Sequence, residues 1–249
     1  MLILTAALVA VLVGSILQRV SGTGVGLVVA PVLSLLMGPA TGVLVTNAAT
    51  VCSGFMITLS VRRMVEWKHA AILIAAALPG VIVGALVVSW VSAEWLQIGV
   101  GAVVLLALAI TKFSRSTGDV KQRKAVVPAG LIGGFFNSTA GVAAPAMVVY
   151  SRITNWDQLR FAATMQPVFM SLGALSVGSK VLAGVPFVLP VPVWMAVGSL
   201  ILTIFVGIRI GTWLSHRMDK AAASKLAMTL AAVGGVVVMV RGALTLILA

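Results

Sequence analysis

The sequence predicts an all-α polytopic membrane protein built of two inverted repeats, each a broken helix or helical hairpin followed by three transmembrane helices. Three observations predict it. Of the 249 residues, 61% are hydrophobic and only 9% are charged, whereas soluble domains carry roughly 45–50% and about 25%. In water that apolar excess would have no cover; in lipid it needs none. Apolar runs of bilayer-spanning length alternate with short polar breaks. Finally, the basic residues gather in alternate breaks, the pattern expected when one set of loops stays on the cytoplasmic side.

The first apolar run covers 2–17. No basic residue precedes it, so it is expected to be a retained membrane segment and not a signal peptide. It breaks at Gln18-Arg19-Val20-Ser21-Gly22-Thr23-Gly24, and a short run, 25–37, follows. That run gives about 20 Å of helix against a hydrocarbon core of roughly 30 Å. Three longer runs, 41–61, 70–91 and 95–111, complete the first repeat, 1–111. A basic linker, 112–124, leads into the second repeat, 125–249. There the run 125–136 breaks at Asn137-Ser138-Thr139-Ala140-Gly141, the short run 142–150 follows, and 161–182, 193–214 and 226–248 are full length.

The halves share an order of features. Ser21 and Gly24 match Ser138 and Gly141 at an offset of 117, and Thr46 and Ser53 match Thr164 and Ser171 at 118. Gly80-x-x-x-Gly84 matches Gly207-x-x-x-Gly211. Such order points to an internal duplication. If each broken segment enters and returns, loops 62–69, 112–124, 151–160 and 215–225 lie on one face. They hold 3, 5, 2 and 3 of the 17 lysines and arginines, while 37–40, 92–95 and 182–192 hold none. The linker is then cytoplasmic and both termini outside, in a multi-pass protein of the cytoplasmic (inner) membrane. Five segments per half, an odd number, give the halves opposite orientation.

Several function classes drop out. The net charge of +12 would suggest nucleic acid in a soluble chain, but here the basic residues lie between apolar runs and set topology, so no nucleic-acid partner is expected. Cys52 is the sole cysteine, which excludes an intrachain disulfide, and no metal-ligand spacing exists. His69 and His216 fall in basic loops. No metal or other cofactor is called for. The five acids, Glu66, Glu94, Asp119, Asp157 and Asp219, sit in loops or at segment ends. That argues against a carboxylate proton relay, a cationic substrate and paired-carboxylate catalysis. Without a catalytic triad or phosphate-binding glycine loop, the chain is not expected to be an enzyme.

What remains is a donor-rich set with no anion in it. Gln18, Arg19, Ser21, Thr23 and Gly24 occupy the first break, and Asn137, Ser138 and Thr139 the second. Thr46, Asn47, Thr50 and Ser53 lie on the next helix of the first half, with Thr164, Gln166 and Ser171 on its counterpart. Positions 46, 50 and 53 share a helical face. A broken helix exposes N–H groups at the start of its second piece, and these attract an anion. Each residue also has a plainer role. Thr46, Thr50 and Ser53 serve packing as readily as binding, and Arg19 could snorkel to an interface instead of meeting substrate. The glycine pairs suit close helix contact, Arg209 and Arg241 snorkelling, Pro31 and Pro145 the shaping of short helices, and Cys52 packing. Trp67, Trp90, Trp95, Trp156, Trp194 and Trp213 are placed as an interfacial belt.

The two breaks, Gln18-Arg19-Val20-Ser21-Gly22-Thr23-Gly24-Val25-Gly26 and Gly133-Gly134-Phe135-Phe136-Asn137-Ser138-Thr139-Ala140-Gly141, resemble those of the TauE/SafE sulfite exporter family. So do the threonine-bearing helices after them and the paired Gly-x-x-x-Gly segments. The resemblance covers nearly the whole chain and implies a bacterial-type inner-membrane permease for sulfite, sulfoacetate or another organosulfonate anion. The expectation is a secondary transporter working by alternating access around a midplane site, with an anion channel or a non-transporting membrane subunit as the alternatives. Its partners are a small sulfite- or sulfonate-like anion and the lipid bilayer. A homodimer and a coupling proton or sodium ion stay open.

Overall fold

The structure, a computed structural model, describes residues 2–21, 25–113 and 121–248. Among these, ten helices account for nearly all of the chain: α1 (Leu2–Ser21), α2 (Gly26–Met37), α3 (Pro39–Val61), α4 (Trp67–Trp90), α5 (Ala93–Phe113), α6 (Gln122–Ala140), α7 (Ala144–Ile153), α8 (Gln158–Leu182), α9 (Val193–Leu214) and α10 (Lys220–Leu248). Seven of them, α1, α3, α4, α5, α8, α9 and α10, are long and apolar enough to cross a membrane. The 12 residues of α2 and the 10 of α7 span about 18 and 15 Å, too little for the hydrocarbon core. Each half therefore runs long, short, long, long, long.

The breaks are narrower than the sequence suggests. Gln18 to Ser21 are helical and end α1, and Asn137 to Ala140 are helical and end α6. Hydroxyl side chains do not interrupt a helix when they can bond back to it. Thr139 Oγ1 does so, donating to the Phe135 carbonyl at 2.8 Å. The second break is confined to 141–143. Gly141, at φ +73°, supplies the left-handed cap there that a side chain resists. Thr23 and Gly24, Asp119, and the side chain of Ser21 lie outside the described residues. α5 continues to Phe113 and α6 begins at Gln122.

Glycine contacts set how the halves interlock. The fourth helix of each half crosses the first helix of the other. In α4, a Cβ on Gly80 would strike the Leu131 carbonyl of α6, and one on Gly84 would lie 2.7 Å from Ser138 Cβ. In α9, a Cβ on Gly207 would lie 2.8 Å from Ser15 Cβ of α1, and one on Gly211 would lie 2.7 Å from Arg19 Cβ. The third helices cross the same way: Gly54 of α3 faces Met170 and the Gln166 carbonyl, and Gly173 of α8 faces Val51 and the Asn47 carbonyl. The partners correspond. Ser138 and Arg19, Gln166 and Asn47, Met170 and Val51, and Gly173 and Gly54 all stand 119 positions apart, a register one or two residues beyond the offsets of 117 and 118. These glycines are close-contact residues.

On the face that carries the basic loops, α7 and the start of α8 are tied to the α3–α4 loop. His69 Nε2 and Tyr150 OH share a hydrogen bond of 2.7 Å, Trp156 Nε1 donates to Glu66 Oε1 at 3.2 Å, and the Glu66 N–H donates to Thr164 Oγ1 at 3.0 Å. Trp156 is therefore not part of an interfacial belt. It is buried, stacked near His69 and edge-on to Phe161, whereas the other five tryptophans are exposed. Thr164 also leaves the candidate site, its oxygen taken by this loop.

Replacing Gly80 with Val should weaken folding by about 1–3 kcal/mol or more, because the carbonyl it meets cannot move aside. Gly178 has nothing within 4 Å of a built Cβ, so Gly178→Ala should be neutral or slightly stabilising, within about 1 kcal/mol. Thermal unfolding of the purified variants in detergent checks both.

Candidate functional site

The start of α2 meets the second interruption. A Cβ on Gly26, at the start of α2, would collide with the Gly141 carbonyl of the second break, and a Cβ on Gly141 would lie 3.3 Å from Thr46 Cγ2. Only glycines let two backbones come this close. Beside the contact is a cavity of about 10 Å³, lined by Gly26, Thr50, Asn137, Phe169 and the residues 141–144 that open α7. It has room for about one water. Neither α2 nor α7 has a side-chain cap, so first-turn N–H groups of both short helices lack intrahelical acceptors. Asn137 lines the same space, and its Nδ2 is buried and has no partner.

A second, much larger cavity of about 610 Å³ opens beside the basic loops. Gln158, Met64 and His216 line it together with Gln18, Arg19 and Gln166. Gln18 Nε2 donates to Gln166 Oε1 at 3.3 Å, and Gln166 lies one helical turn from Phe169, which lines the small cavity. Arg19 donates from Nε to Thr212 Oγ1 at 2.9 Å and forms no ion pair among the described residues. Arg19 lines the vestibule. Arg241, by contrast, donates to the Leu35 carbonyl near the C-terminal end of α2 at 2.7 Å, a capping role.

Deeper in, Asn47 Nδ2 donates to the Asn137 carbonyl at 3.2 Å and to Ser176 Oγ at 2.8 Å, and Ser176 donates to Ser138 Oγ at 3.5 Å. Asn47 Oδ1 and Gln18 Oε1 are buried without partners. The amides again follow the register of 119: Gln18 pairs with Gln166 as Asn47 pairs with Asn137.

Of the residues expected at the site, Gln18, Arg19, Asn47, Thr50, Asn137, Ser138 and Gln166 converge around these cavities. The hydroxyls of Thr46 and Thr50 donate to the Gly42 and Thr46 carbonyls of their own helix, so they offer oxygen lone pairs, not hydrogens. Thr46 packs its methyl against the glycine contact, and Thr139 bonds back along α6. Phe136 points away, into an apolar crevice between α5, α6 and α7. Sequence reasoning missed Ser176 and Lys180. Lys180 is fully buried, and its ammonium has no partner. The available signal was a lone charge inside the apolar run 161–182.

The family model described as sulfite exporter TauE/SafE matches residues 6–238. The chain belongs to that family and is a multi-pass membrane protein of transporter type. No curated protein and no solved structure matches it.

Placed in a Cys52→Ser background, Ala162→Cys, on the vestibule wall, should react with a membrane-impermeant maleimide added to the basic face. Ser176→Cys should stay unlabelled from that face. Gel-shift labelling of oriented vesicles checks this, and equal labelling of the two positions would contradict the arrangement.

Proposed function

From membership in this family and the geometry of the site, we propose that the chain is a secondary permease for a small oxyanion, with sulfite or an organosulfonate as substrate. One observation carries the proposal. Uncapped helix starts and an unpartnered Asn137 amide border the small cavity, Arg19 lines the larger one, and among the described residues no carboxylate lines either. Such a centre stabilises negative charge through oriented N–H groups. Arg19 neutralises the anion. Asn137, Ser138 and the α7 N-terminus orient it.

The same geometry suggests a transport cycle. A 10 Å³ space cannot hold an oxyanion, so binding requires the glycine-lined tips to part. The contacts repeating at 119 positions support a two-fold related pair of repeats, and an odd number of helices in each half makes that pair inverted. The repeats rock about the tips. The vestibule beside the basic loops corresponds to an inward-facing state, with those loops cytoplasmic, both termini outside and the protein in the inner membrane. Asn47, Ser138 and Ser176 close the opposite side.

Removing the guanidinium with Arg19→Gln should raise the half-saturating sulfite concentration in proteoliposome flux by about tenfold to a hundredfold, the worth of a hydrogen bond to a charged group. Arg241→Gln should stay within about twofold of wild type. Equal behaviour of the two variants would contradict the assignment.

A further inference from the structure

We propose that Lys180 is a second anion-binding residue, the counter-charge that meets the substrate on the side of the site opposite Arg19. The inference rests on the permease reading above and adds a station to it. Lys180 lies two residues from the end of α8, where a lysine normally extends its ammonium to water. Here the side chain is fully buried and Nζ has no hydrogen-bond partner. The helices packed on α8 offer it no acid. Between Pro39 and Val61 α3 carries no charge at all, the only ionisable residues of α4 are Lys68 and His69, and those of α6 are Arg123 and Lys124; all four lie at the opposite, basic end. Lys180 forms no ion pair among the described residues.

A desolvated cation without a counter-ion is costly, and such residues within membrane segments mark ion or substrate paths. The surroundings agree. One turn back along α8 is Ser176, which joins Asn47 and Ser138 in a hydrogen-bonded chain leading to Asn137 and the small cavity. Asn47 Oδ1 on that chain is itself unpartnered. Lys180 is 14 residues beyond Gln166 on α8, or about 21 Å along the helix. The polar track thus carries one cation at its vestibule end and another near the far face, with hydroxyl and amide groups between. A small oxyanion passing the parted tips exchanges the charge of Arg19 for that of Lys180, and neither station has to bind so tightly that the anion is trapped.

The test is anion-dependent thermal stabilisation of the purified full-length protein in chloride-free buffer, titrated with sulfite and separately with methanesulfonate. Lys180→Met should raise the half-maximal anion concentration by about tenfold or more, and Lys180→Arg should recover most of the loss. Without anion, Lys180→Met should melt no lower than wild type, because it removes a buried unpaired charge. The proposal is overturned if Lys180→Met titrates like wild type. It is overturned equally if that variant fails to fold or melts lower without anion, which would mark a structural lysine. If folded wild-type protein responds to neither anion, the permease reading fails first and this station falls with it.

Discussion

Backbone that leaves a helix at membrane depth has no water to turn to, and its N–H and C=O groups must be satisfied inside the protein. That constraint shapes this molecule. The second interruption is confined to residues 141–143, and the start of α2 is brought into backbone contact with it. The start of α2 thereby shields the exposed backbone of the second interruption. The glycines at 26 and 141 make the contact possible, and the crossings of α4 on α6 and α9 on α1 hold the broken helices in place. Irregular backbone is tolerated at this depth only when it is covered by protein or lines a polar cavity, and both conditions hold here.

The chemistry of the centre follows from what surrounds those interruptions. Threonine hydroxyls on α3 are committed to their own helix carbonyls, so they stiffen the scaffold more than they solvate a ligand. The adaptable groups are the amides of Gln18, Asn47, Asn137 and Gln166, several with an atom left unpaired. Arg19 and Lys180 add positive potential at opposite ends of the track, and the four described acids are held elsewhere. Glu66 is engaged by Trp156, His69 and Arg160 on the basic face, Asp157 caps α8, and Glu94 and Asp219 lie at or beside helix starts. On the proposed permease reading, a centre of this kind favours a solute that brings its own negative charge.

Much of the fold was legible in the sequence because bilayer length and apolar composition are strong, local signals: all seven long spans and both short helices fall where hydropathy places them. The glycine pairs were legible as contact residues for the same reason. Details that depend on tertiary contact were not. Asn137 to Ala140 read as a break, yet they are helical, since back-bonded hydroxyls cost a helix little. Trp156 read as an interfacial residue, and only the fold shows Glu66 and His69 enclosing it. Thr164 matched Thr46 by position but is drawn off by the Glu66 N–H. Lys180 sits so near the end of α8 that sequence alone cannot separate a snorkelling lysine from a buried one; its complete burial in the fold decides it.

The central claim is that the meeting point of α2 and the second interruption prefers an anion. The most direct measurement is anomalous diffraction from crystals equilibrated with selenite, the heavier congener of sulfite. The account predicts a selenium peak between the Arg19 guanidinium and the Asn137 amide, with Gly26 and Gly141 moved apart to admit it. Selenium found only on surface arginines, with the glycine contact unchanged at saturating selenite, would contradict it.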